Sequence, residues 1–100
     1  MLISIAKNFS RVPAGRFRED GPTSGQQFRD DILIPALRKD DVVEVDLDGV
    51  EGYGSSFLEE AFGGLVRSGF AAADLHKKLK IKTVDEAWRM EVWSYIDQTD

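Results

Sequence analysis

The sequence contains no cysteine. Disulfides, thiol catalysis and thiolate metal sites are thereby excluded, and a cytoplasmic location is the expectation. Histidine occurs once, at His76. A zinc site built from two histidines and a carboxylate cannot be assembled, and a serine nucleophile would have to borrow this one imidazole from a lysine-rich stretch. Apolar runs are short. None approaches the length that crosses a bilayer, and the opening MLISIAKNFS lacks the basic leader and the apolar stretch of a secretory signal. Positive charge is in deficit, with 13 Lys and Arg against 18 Asp and Glu for a net charge of -5. Nucleic-acid binding rests on neutralising phosphates, so that balance argues against it. His76, Lys77, Lys78, Lys80 and Lys82 do cluster, as solvated side chains along a strand edge would. A soluble protein without membrane or nucleic-acid partners is expected, with no cofactor and no metal.

The 100 residues suit one compact domain, 1–100. Leu2 to Ala6 reads as a strand, and Arg16-Phe17-Arg18 alternates like a second, short one. Between Glu19 and Gly25 turn formers dominate. The segment ends in helix-start chemistry, because Ser24 with Gln27, and Thr23 with Gln26, match the capping-box pattern. The helix that follows should run to about Leu37 and should kink or stop early at Pro35, which has no backbone donor. Val42 to Leu47 is the clearest strand, with Val43, Val45 and Leu47 on one side. From Ser56 the apolar positions Phe57, Leu58, Ala61, Phe62, Leu65 and Val66 form a helical stripe.

Gly63 and Gly64 lie inside that helix, where each costs roughly 1 kcal/mol relative to alanine. Close approach to a neighbouring element is the usual compensation. Residues 68–78 read as a connection with room for one helical turn, and LKIKT as a further strand. Thr83 and Glu86 match a capping box opening a last helix to about Gln98, with Val84, Ala87, Trp88, Glu91, Val92, Tyr95 and Ile96 on one side and Trp93 off the stripe. The resulting order, β-β-α-β-α-β-α, predicts a mixed four-stranded sheet. Its first hairpin is antiparallel and its helices lie mainly on one face.

Few residues carry chemistry. The acids Asp40, Asp41, Glu44, Asp46, Asp48 and Glu51 miss the spacing of a calcium loop. GYGSSF has neither the lysine of a phosphate-binding P-loop nor the second glycine of a nucleophile elbow. What remains is a helix start carrying two hydroxyls, Ser55 and Ser56. Its free N–H groups and dipole favour an anion, including a phosphoryl group on a serine. Ser55 is the expected N-cap and Ser56 the candidate phosphoacceptor. A second candidate, a small-ligand or phosphate site, would use Gly52 and Gly54 with the polar cluster Arg16, Asp20, Ser24 and Arg29. Glu59, Glu60 and Trp93 are candidates for an interface.

VVEVDLDGVEGYGSSFLEEAFGGLV resembles the central segment of STAS domains, the anti-sigma factor antagonist fold. There a strand ending in Asp leads through a Gly-Val loop to an Asp-Ser-Ser-Gly turn and a helix. Asp46, Gly49-Val50, Ser55 and Ser56 fall on the matching positions, while Gly54 stands for the Asp and Phe57 for the Gly. The segments GRFREDGPTSGQQFRDDILIPAL and GYGSSFLEEAFGGLVR resemble more closely the bacterial STAS-like domain of unknown function. The resemblance implies a STAS-like fold and a non-enzymatic signalling module. In bacterial partner switching, the second serine is phosphorylated by a cognate kinase that otherwise releases a sigma factor. Ser56 would hold that position. The implied partner is a GHKL-type ATPase or histidine kinase, or an anti-sigma factor.

Overall fold

The computed structural model describes residues 1–99. Three strands form one parallel sheet: β1 (Leu2–Ser4), β2 (Val43–Asp46) and β3 (Leu79–Lys82), in the order β1-β2-β3. Ile3 pairs with Val45 and Val45 with Ile81, so these three share a row. Ile3, Val43, Val45, Leu79 and Ile81 are all buried. The alternate residues Glu44, Asp46, Lys80 and Lys82 point to the other, more open face. Period-two alternation with β-branched residues on the inner face is what places VVEVD at the centre of the sheet.

The four-stranded mixed sheet is corrected to this three-stranded parallel one. Arg16-Phe17-Arg18 is no strand, because the Asp20 carboxylate accepts from the N–H groups of Arg16 (3.2 Å) and Phe17 (2.8 Å) and folds the segment into a 3-10 turn, Arg18–Asp20. The short side chain of Asp20 thus outcompetes a ladder partner. β1 is also shorter than expected. The Ser4 hydroxyl accepts from Lys7 N–H and starts a one-turn helix, α1 (Ile5–Asn8).

The segments Gly25–Gln27, Phe28–Leu33 and Ile34–Lys39 run on as one helix, α2, the middle one a π-helical stretch. Ser24 is its N-cap, and the capping box with Gln27 forms as its spacing implies. Pro35 does not end the helix. The Ile34 N–H donates to the carbonyl of Arg29, five residues back, so the turn before the proline is widened. A widened turn relieves the clash between the ring and the preceding carbonyls.

Ser55–Leu58, Glu59–Gly63 and Gly64–Arg67 form the second long helix, α3, again with a π-helical middle. Then come α4 (Ala72–Lys78), two turns where one was expected, and α5 (Glu86–Gln98). The cap of α5 is Asp85, whose carboxylate accepts from Ala87 and Trp88, and not the Thr83–Glu86 box. Thr83 donates instead to Asp48 at 2.8 Å. Val84 therefore leaves the buried stripe assigned to it and is 92% exposed.

Both crossovers step the same way across the sheet, and right-handed connections then bring α2 and α3 to one face. Phe57, Leu58, Ala61, Phe62 and Leu65 are buried there, as the stripe predicted. Phe28 anchors an aromatic cluster, with ring centroids 5.4 Å from Phe9, 6.2 Å from Phe57 and 6.3 Å from Phe62. At each sheet edge a side chain occupies one outward-facing backbone group. The Ser4 N–H donates to Asn8 Oδ1 (2.8 Å), and Arg89 donates to the carbonyls of Ile81 (3.1 Å) and Thr83 (2.9 Å). Blocking edge groups in this way guards against edge-to-edge association.

Phe62 is fully buried, so Phe62→Ala should cost about 3–5 kcal/mol in denaturant unfolding. A loss below about 1 kcal/mol would contradict the packing of α3 on this core.

Candidate functional site

In open α/β sheets the crevice outside the carboxyl ends of the strands is the usual place for function. Here that end carries the loop from Asp48 to Gly54 and the start of α3. Asp48 ties the loop to the end of the neighbouring strand β3, its carboxylate accepting from the Thr83 hydroxyl (2.8 Å) and from the Val84 N–H (3.2 Å to each oxygen). Tyr53 donates its hydroxyl to the carbonyl of Leu47 at 2.7 Å and packs edge-on against Trp88, ring centroids 4.8 Å apart. Burial pushes the Tyr53 phenol pKa up, and the charges of Asp46 and Asp48 push it further. The phenol therefore stays a neutral donor.

The loop presents Gly54, Ser55 and Ser56, all exposed. Gly54, extended at φ -75° and ψ 148°, is the N-cap of α3, and no side chain caps it. The assignment of Ser55 as N-cap is thus corrected: Ser55 and Ser56 are the first two helical residues. Their backbone conformation puts them one step further into the helix than a cap, and among the described residues neither hydroxyl has a hydrogen-bond partner. Phe57, in the place of the STAS glycine, is buried and stacks on Tyr53 with centroids 5.9 Å apart.

The proposed polar cluster is assembled only in part, and around a different centre. Arg29 is buried at the crossing of α2 and α3. Its Nη1 donates to Glu60 Oε2 (2.5 Å) and to the carbonyl of Glu60 (2.9 Å), and its Nε to Asp30 (2.8 Å). Arg16 reaches the carboxylates of Glu59 and Glu60. Arg67 donates to Glu59 at 2.7 and 3.1 Å and to Glu60 at 3.3 Å. Arg67 was missed in the sequence. The signal was its place seven and eight residues after the two glutamates, two helical turns on. The hydrogen bond from Arg67 holds the Glu59 carboxyl below its ordinary pKa against the opposing effect of burial, with Arg16 adding to it.

The glycines make the network possible. A Cβ on Gly64 would collide with the Arg29 guanidinium, and one on Gly63 would stand 2.6 Å from Glu59 Oε2. A Cβ on Gly25 would stand 2.6 Å from the carbonyl oxygen of Phe57. The close approach to a neighbouring element is therefore met at Gly64, by Arg29 of α2, whereas at Gly63 the nearest group is Glu59, one turn back in the same helix. Asp20 and Ser24, the other members of the cluster, only cap local structure. Gly52 and Gly54 lie at the serine end, while Arg16 and Arg29 face Glu59 and Glu60.

Glu60 is buried and Glu59 half-buried, both held by arginines, so they are not free interface groups. Trp93 is half-buried, stacked at 4.3 Å on His76, which bonds Asp97 at 2.7 Å. Among the described residues no group of acids and histidine is arranged to hold a metal ion, and no helix is long and apolar enough to cross a membrane.

A parallel three-stranded sheet with helices, and a serine-bearing helix start at its carboxyl end, define a small α/β domain. The model of the family described as the STAS-like domain of unknown function (DUF4325) matches residues 24–87, and the chain belongs to that family. The match begins at the cap of α2 and takes in the loop, the serines, Arg29, both glutamates and Arg67. Neither a curated protein nor a solved structure matches the chain.

Two outcomes follow from the charge network. Glycine to alanine in a helix normally stabilises, yet Gly64→Ala should lower stability by about 1–3 kcal/mol by displacing Arg29. A gain in stability would remove this account of the glycine. Because the folded pKa of Glu59 is depressed, its contribution is present above the ordinary glutamate range and lost as pH falls through the folded value. The stability gap between wild type and Glu59→Gln should therefore be widest near neutral pH and close in acid. A gap unchanged between about pH 7 and about pH 3 would count against the pairing.

Proposed function

We propose that the chain is a non-enzymatic interaction module of the anti-sigma factor antagonist kind, docking through the carboxyl end of its sheet and regulated by phosphorylation of Ser56. The observation that carries this reading is that both serine hydroxyls are exposed and neither caps the helix, the cap being Gly54. A phosphoryl group at the second helical residue would cost the fold no hydrogen bond and would lie near the positive end of the helix dipole. It would add roughly -1.5 to -2 charges inside the docking face. Glu59 and Glu60, one turn further, are already neutralised by arginines, so the effect falls on the partner more than on the chain. The proposed partner is a GHKL-type ATPase or histidine kinase, or an anti-sigma factor, in the cytoplasm.

The alternative, a small anion bound at Gly52 and Gly54 with Arg16 and Arg29, has less support. Both guanidiniums already face carboxylates, and an incoming anion would have to displace them.

Ser55→Ala should change stability by no more than about 0.5 kcal/mol, as for a surface site that is no cap. Ser56→Asp should leave the fold intact and weaken binding to a kinase-like ATPase encoded beside the protein's gene. Mass spectrometry of the protein isolated from its own cells should find phosphate on Ser56. Unaltered binding by Ser56→Asp together with an unmodified Ser56 would end the switch reading.

A further inference from the structure

The reading above puts a phosphoryl group on Ser56 and leaves open what the chain itself does with it. Arg16 is positioned to take it. The backbone of Arg16 is stitched to the start of α2: the Gly25 N–H donates to the Gly15 carbonyl and the Gln26 N–H to the Arg16 carbonyl, both at 3.0 Å. That start of α2 lies in turn against α3, since a Cβ on Gly25 would stand 2.6 Å from the Phe57 carbonyl oxygen and 3.2 Å from Glu60 Cβ. Ser56 adjoins Phe57 and precedes Glu59 and Glu60 by three and four residues, the spacing of neighbours on one helix face. Arg16 contacts the carboxylates of both. Ser56 and Arg16 therefore flank the same two glutamates.

The three arginines of the network differ in the donors they have left. Arg29 is buried and engaged through Nε and Nη1, and Arg67 is engaged through Nη1 and Nη2. Arg16 reaches both glutamates through Nη1 alone, and its Nε and Nη2 have no acceptor among the described residues. Its side chain is 34% exposed. Nε and Nη2 form the edge of a guanidinium that grips two oxygens of a phosphate in parallel. A free anion must compete with the carboxylates for both Arg16 and Arg29. A phosphoryl group tethered to Ser56 needs only this unused edge, and tethering removes most of the cost of association. Even with Arg16 turned fully toward the phosphate, Glu59 keeps Arg67, and Glu60 keeps Arg29 and Arg67.

We infer that Arg16 is the phosphate clasp of the modified state: it grips the phosphoryl group on Ser56 through Nε and Nη2 and ties the loop before α2 to the start of α3. This rests on the phosphorylation of Ser56. The modification takes the terminal phosphoryl group of a nucleoside triphosphate. The Ser56 Oγ–P bond forms, the bond from phosphorus to the diphosphate breaks with its electron pair leaving on the diphosphate, and the hydroxyl proton passes to solvent.

The test installs phosphoserine at position 56 during synthesis, so that no kinase is needed, and follows the protein by NMR. The second ionisation of an exposed phosphoserine falls at about pH 6. With Arg16 present the phosphorus resonance should titrate at least about 0.5 pH unit lower than in Arg16→Gln, because the guanidinium favours the dianion. Arg16→Lys, which keeps the charge without the fork, should fall between the two. With no substitution at Arg16, its Nε–H proton should move downfield on phosphorylation, and the Nε–H of Arg67 should not. Equal titration with Arg16 and in Arg16→Gln, or an unmoved Arg16 Nε–H, would overturn the clasp. The installed phosphate makes these outcomes independent of whether the source cell modifies Ser56. An unmodified Ser56 in the cell would end the switch reading and this regulatory role with it, whereas a failure on the installed phosphate overturns the clasp alone.

Discussion

The Arg29–Glu60 pair is the constraint on which the packing of the two long helices depends. Two ions buried at a helix crossing lose their hydration, and only close, well-directed partners return it. Each partner is therefore multiply held: Arg29 by Glu60 and Asp30, Glu60 by Arg29, Arg16 and Arg67. Removing one partner from such a pair costs about 3–5 kcal/mol. Gly25 and Gly64 are the steric counterpart of the pair, since side chains there would push the helices apart or evict the guanidinium. Both helices also widen into π turns across this crossing, Phe28–Leu33 in α2 and Glu59–Gly63 in α3. Arg29 lies in the first and Glu60 in the second.

The network also divides the molecule by role. Its charges sit along the middle of α3, and they are spent on structure. The serines sit at the start of the same helix, outside that pairing, with hydroxyls that find no hydrogen-bond partner among the described residues. A surface group that costs no stability to modify is suited to regulation, whereas a group in the network is not. The loop between β2 and α3 holds the serines in place through Asp48 and Tyr53, whose hydrogen bonds run to the neighbouring strand end and to the Leu47 carbonyl.

Local patterns were legible where one kind of interaction dominates. The Ser24–Gln27 capping box, the central strand and the buried stripe of α3 all follow from spacing. Legibility failed where two local options competed. Arg16-Phe17-Arg18 alternates like a strand, but the Asp20 carboxylate claims its N–H groups. Thr83 and Asp85 could each cap α5. The choice went to Asp85 because Thr83 is drawn to Asp48, a residue thirty-five positions away. The same choice turned Val84 from core to surface.

By itself the sequence determined the family, the three strands that form, the buried stripe of α3 and the position of the two serines at a helix start. These depend on period, caps and motif order, all of which are local. Tertiary structure alone decided which charges face each other. Arg67 lies two helical turns beyond Glu59 and Glu60, a local spacing, but Arg16 and Arg29 come from a loop and another helix, and no spacing rule along the chain predicts that they meet these glutamates. It likewise decided that the sheet is wholly parallel and that Val84 stands in solvent. Both depend on hydrogen bonds between segments far apart in sequence, and such bonds exist only once the chain has closed on itself.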